Sequence, residues 1–121
     1  MSILPRFSRQ EPDRRSQIRD MLLRFEAKIG GQLFGALSKG HDRQFFCLDE
    51  NTWIWYESWT DNKGKRHSVT TRYDVRPNGI IKLQNGKVYQ RLSREEADNL
   101  VRSAELYYNR ISAEYRQLQT A

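Results

Sequence analysis

Cysteine occurs once in the 121 residues, as Cys47, and histidine only twice, as His41 and His67. A lone cysteine forbids an internal disulfide and predicts a reducing, cytoplasmic setting. Two histidines and one cysteine are too few for a protein-only structural zinc site unless carboxylates complete it, so neither metal nor cofactor is expected. No apolar run approaches the ~20 residues that a membrane-spanning helix needs. The opening residues, MSILPRFSRQEPDRR, lack the apolar stretch and small-residue cleavage site of a secretory signal. Glycines 30, 31 and 35 are followed by no Lys-Ser/Thr pair, which excludes a phosphate-binding P-loop. His41-Asp42-Arg43 matches a kinase catalytic loop in letters alone, since none of the accompanying kinase motifs is present.

What is present is a basic, aromatic chain. Lys and Arg number 21 against 15 Asp and Glu, a formal net charge of +6, and 12% of residues are aromatic. The length suits one domain with one core. We divide it into an N-terminal arm over 1–11 and a single domain over 12–121. The excess charge sits in the middle: residues 51–91 hold eight basic and three acidic groups. Such a segment attracts anionic partners in a salt-dependent way.

Two helical stretches flank that middle. Ile18, Met21, Leu22, Phe25 and Ile29 recur at helical spacing, which predicts a helix over 12–29 stopped by Gly30-Gly31. Ser93-Arg94-Glu95-Glu96 is a capping box, and the stripe from Ala97 through Tyr107 and Ile111 to Leu118 predicts a helix over 94–118. Residues 44–92 read as an antiparallel meander. Its turns predict the pairs Asp49–Thr52, Asp61–Lys65, Arg76–Ile80 and Gln84–Lys87. The expected fold is α+β: a five-stranded antiparallel β-meander with the N- and C-terminal helices packed on one face, α-β5-α in two layers.

Strand alternation then sorts the side chains. Phe46, Leu48, Trp53, Trp55, Trp59, Val69, Tyr73, Ile81, Leu83 and Val88 fall on the helix side. The outer face receives Arg66, Arg72, Arg76, Lys82, Lys87 and Arg91, with Lys63 and Lys65 at its edge. It also receives Phe45, Cys47, Ile54, Tyr56, Ile80 and Tyr89. An apolar patch rimmed by arginines has the make-up of an interface. Those six residues are therefore the candidate interface, unless the arm or the Gly-rich 30–43 segment folds over them. The eight basic residues are candidate contacts for an anion or nucleic acid, with aromatics as stacking platforms.

Catalytic signals are sparse. Glu57 and His67 are expected diagonal to each other on the helix face, near the Asn62–Gly64 turn, without a nucleophile beside them. Cys47 reads as a small buried or interface residue rather than a nucleophile. The runs FFCLDENTWIWYESW and SVTTRYDVRPNGI resemble small bacterial proteins that have no assigned function. That resemblance covers about residues 43–118 and implies neither an activity nor site residues. The sequence thus points to a non-catalytic interaction module that uses the helix-free sheet face for self-association, a homodimer included, or for a protein partner. The alternative is RNA or single-stranded DNA on the same face; a membrane is not an expected partner.

Overall fold

The computed structural model describes residues 13–87 and 89–120; the arm over 1–11 lies outside them. Helix α1 spans Arg14–Gly31. Asp13 is its N-cap rather than part of its first turn, and its side chain accepts from the Ser16 amide at 2.8 Å. A short 3-10 turn, Gln32–Phe34, follows. Strands β1 (Asp42–Asp49), β2 (Thr52–Thr60), β3 (Arg66–Arg76) and β4 (Gly79–Gln84) form an open antiparallel sheet in sequence order. The expected fifth strand is only the three-residue run β5 (Tyr89–Arg91), paired with β4. Helix α2 spans Arg94–Thr120, and its Glu96 amide donates to the Ser93 hydroxyl at 3.2 Å, the cap that the sequence announces.

One hairpin forms as its turn residues require. Asp61 closes on Lys65, Gly64 takes a φ of 80°, and the Asp61 carboxylate accepts from the Lys63 and Lys65 amides. This sets Trp53, Trp55, Glu57 and Trp59 opposite Tyr73, Thr71, Val69 and His67.

The other connections change the expected faces. Asp49 pairs with Thr52 as expected, but the register shifts between Cys47 and Asp49. Leu48 becomes the extra residue of a bulge, and Phe45 and Cys47 pair with Trp55 and Trp53 instead of Tyr56 and Ile54. A one-residue slip exchanges the two faces of a strand. Phe45 and Cys47 therefore lie on the helix side, and Phe46 lies outside. At the β3–β4 turn, Pro77-Asn78 alone connects the strands, so Arg76 pairs with Gly79 and not Ile80. Ile80, Lys82 and Gln84 turn to the helix side, while Ile81 and Leu83 turn away. The Asn85-Gly86 turn forms, with both residues at positive φ and the Lys87 amide on the Gln84 carbonyl at 2.9 Å. Pairing beyond it resumes one residue later than expected, Leu83 opposite Tyr89. The placements of Val88 and of the Tyr89 side chain lie outside the described residues.

The core collects on the helix side. Phe45, 1% exposed, stacks on Trp53 with ring centroids 5.2 Å apart and meets Tyr107 edge-on at 5.9 Å. Ile29, Leu100 and Ile111 close over them. α1 reaches this cluster by its glycine end. A Cβ at Gly30 would run into the Phe45 carbonyl, and one at Gly31 into that of Arg43, so only glycine lets the helix seat this closely on β1. The two helices are tied by Glu26 of α1, whose oxygens accept from the Tyr107 hydroxyl at 3.0 Å and the Tyr115 hydroxyl at 2.5 Å. Burial together with this carboxylate pushes both phenols upward, Tyr115 to about 12. No helix among the described residues is long and apolar enough to cross a membrane.

Candidate ligand cavity

α2 covers the lower part of the inner sheet face and leaves the upper part open. The result is a cavity of about 700 Å3. Its floor is Trp55, Trp59, Val69, Thr71 and Tyr73. Glu96, Asn99, Leu100 and Ser103 of α2 form one wall, and Ser38, Lys39 and His41 of the segment before β1 form the other. That second wall is fastened from outside. The Arg66 guanidinium donates to the Gly40 carbonyl at 2.7 Å, to the Ser58 and Thr60 hydroxyls at 2.8 and 3.1 Å, and to Asp42 at 3.1 Å.

Glu57 stands at the centre of the upper floor. Strand alternation puts it between Trp55 and Trp59, about 7 Å from each along β2. Trp55 Nε1 donates to its Oε1 at 2.7 Å, and His41 Nε2 lies 2.8 Å from its Oε2. Burial pushes the Glu57 carboxyl up, but the hydrogen bonds from Trp55 and His41 and the charge of Arg43 outweigh it and hold it below the usual range. The group is a carboxylate, an acceptor only, so the facing His41 nitrogen carries the proton. The two side chains are 29% and 28% exposed, shielded yet open to the cavity. A second polar group closes the other end. Lys82 Nζ lies 3.2 Å from Glu96 Oε2, with the Gln84 amide and Thr71 hydroxyl bonded beside it at 3.2 Å.

The expected Glu57–His67 relation gives way to this arrangement. His67 stacks on Trp59 at 5.6 Å and pairs with Asp61 at 2.7 Å, away from Glu57. The true partner, His41, is sixteen residues distant in sequence, and only the β1 register, with Arg43 opposite Glu57, brings it near. Cys47 faces α2: its thiol donates to the Asp49 carbonyl at 2.8 Å, Tyr108 approaches it at 3.8 Å, and burial pushes its pKa up. Of the candidate interface residues, Ile54 and Tyr56 lie on the outer face, whereas Phe45, Cys47 and Ile80 lie inside. Phe46, Ile81 and Leu83 take their places outside.

Of the eight candidate basic residues, strand pairing keeps Arg66, Arg72, Arg76 and Arg91 on the outer face. Lys82 points into the cavity. Arg72 binds Asp74 at 2.8 Å, Arg76 approaches the same carboxylate at 3.8 Å, and Arg91 donates to the Asn78 carbonyl at 2.9 Å. Lys63 and Lys65 belong to the β2–β3 turn, and Lys87 is exposed beyond the β4 turn. Among the described residues no three of His, Cys, Asp or Glu converge to hold a metal ion.

The depressed Glu57 pKa carries a pH signature. A carboxylate stabilised in the fold contributes its full share above its ordinary pKa, 4.5, and loses that share as pH falls through the folded value. The thermal midpoint of Glu57→Gln should lie below that of the wild type near neutrality, and the gap should narrow in acid. Melting curves of both proteins at a series of pH values measure it; a gap of constant size would contradict the ionised, hydrogen-bonded state.

No protein-family model, curated protein or solved structure shows a match to this chain.

Proposed function

We propose that the chain is a non-catalytic binding domain that holds a small organic molecule between its sheet and α2. The observation that carries this reading is the cavity itself. Ligand sites are typically concave spaces of roughly 300–1,000 Å3, mostly apolar, with a few polar groups that fix orientation. This cavity has that size and an aromatic floor, with Glu57 and His41 at one end and Lys82 at the other to fix orientation, inside a lining that is more polar than usual. Binding is favoured over catalysis because a general base works best with a pKa near the operating pH, and Glu57 is shifted the opposite way. The one thiol is bonded to a backbone carbonyl and shifted upward, which suppresses the thiolate.

The neutral solvatochromic dye prodan tests this directly, since it can be excited apart from the three tryptophans. Its emission should shift to the blue with one dye bound per chain. Ser103→Trp, which fills the cavity from α2, should abolish the shift, and Tyr56→Asp on the outer face should not. A shift insensitive to Ser103→Trp would remove the cavity from consideration.

A second reading keeps the outer face as a contact surface, the partner being a second copy of the chain. It is favoured by the row Phe46, Ile54, Arg72 and Leu83, which crosses four strands on the face that pairing turns away from the described core. Tyr56 and Ile81 border this row, and the alternation of Arg72 with Asp74 gives the face both signs of charge. Opposite signs on one face allow two copies to pair across a two-fold axis. Sedimentation velocity should then show a dimer that Tyr56→Asp converts to monomer with an unchanged far-UV spectrum. A wild type that remains monomeric at high concentration would dismiss this reading.

A further inference from the structure

The two polar ends of the cavity differ in kind. Glu57 presents a carboxylate whose oxygens each already accept one hydrogen bond, from Trp55 and from His41. Those bonds fix its orientation and leave about two of its four acceptor sites for an occupant. An anion placed there meets like charge, while an N–H or O–H completes the set. Lys82 presents an ammonium group with three donors, one of which goes to Glu96. Its side chain is 23% exposed against 48% for Glu96, so the cation sits deeper in the cavity than the carboxylate that holds it. Lys39 lies on the other wall, with Ser38 and His41.

The distance between the ends follows from the sheet. Glu57 faces Val69 across β3, and Lys82 faces Tyr73. The two positions are therefore four residues apart along the strands and two strands apart across them, about 13 Å by 10 Å between backbones. The diagonal is about 16 Å, and a hydrogen bond of about 3 Å at each end leaves about 10 Å for an occupant, the length of a bicyclic aromatic with a short chain. The floor between them holds the rings of Trp55 and Tyr73 together with the β-branched Val69 and Thr71.

Resting on the binding reading above, we infer that the ligand is a flat, bipolar aromatic molecule, with a hydrogen-bond donor seated at Glu57 and an anionic group seated at Lys82. A charge-assisted contact to the ammonium rewards an acid over its ester, and the carboxylate of Glu57 rewards a ring N–H over its N-methyl analogue.

Four related probes separate these contributions by titration calorimetry on the full chain. Indole-3-propionate carries both features. Its methyl ester lacks the charge, 1-methylindole-3-propionate lacks the donor, and tryptamine reverses the charge. The acid should bind about tenfold more tightly than each of the other three, as expected when one charge-assisted contact is lost. Lys82→Met should erase its advantage over the ester, and Glu57→Gln its advantage over the N-methyl compound. The ranking on the wild-type protein decides the matter even if a variant folds poorly. Tryptamine or the ester binding as tightly as the acid, or no binding by any of the four, would overturn the bipolar assignment. Prodan still responding to Ser103→Trp in that case would leave the cavity reading standing, whereas no prodan binding would remove both.

Discussion

The packing of Phe45 is the contact on which the remainder of the molecule depends. Its ring is 1% exposed, stacked on Trp53 and met edge-on by Tyr107 at 5.9 Å and by Phe34 at 5.6 Å. β1, β2, α2 and the turn after α1 thus meet on one side chain. A fully buried phenylalanine contributes about 3–5 kcal/mol against truncation, a large part of the stability of a small domain. For Phe45 to point inward, β1 must bulge at Leu48, and the same phase carries Arg43 and His41 to the inner side of the sheet. The core and the cavity share one register.

The cavity exists because the two halves of the inner face are covered unequally. Tyr107 and Ile111 press on Phe45 and Trp53, and Glu26 clasps Tyr107 and Tyr115, so the later part of α2 is held tightly to α1 and the sheet. The first turns of α2 are held at the sheet by the Lys82–Glu96 pair, itself part of the cavity wall. Glu57 is tolerated on the open floor because two side-chain donors replace the water it gives up. The hydrogen bonds that stabilise this carboxylate also aim it, so the fold presents a fixed acceptor beside two indoles. Such preorganisation lowers the cost of binding.

Much of this was legible in the sequence where a local signal was strong. The Ser93 capping box, the Asp61–Lys65 loop with its left-handed Gly64, and the placement of Trp53, Trp55 and Trp59 on the helix side all come from short-range chemistry. The phases of β1 and β4 do not. Phe45-Phe46 and Ile80-Ile81 are pairs of like apolar residues, so the hydrophobic pattern fits either phase equally well. No turn residue marks a bulge at Leu48. Pro77-Asn78-Gly79 fits a three-residue loop with a left-handed glycine as well as a two-residue connection; Gly79 at φ 141° belongs to the latter. The His41–Glu57 pair was hidden for the same reason, because strands in the wrong phase place the two groups on opposite faces. A useful clue was present nonetheless. Lys82 and Gln84 turned inward leave Ile81 and Leu83 for the outer face, beside Ile54 and Tyr56.

The register of β1 is therefore the point at which fold and function are tested together. Nuclear Overhauser contacts from the assigned Phe45 and Phe46 rings measure it in solution. Phe45 should show contacts to the Trp53 and Tyr107 rings, and Phe46 should show them to Ile54 on the outer face and to none of the α2 side chains. The reverse pattern, Phe46 against Tyr107 and Phe45 beside Tyr56, would put Arg43 and His41 on the wrong side of the sheet and abolish the cavity described above.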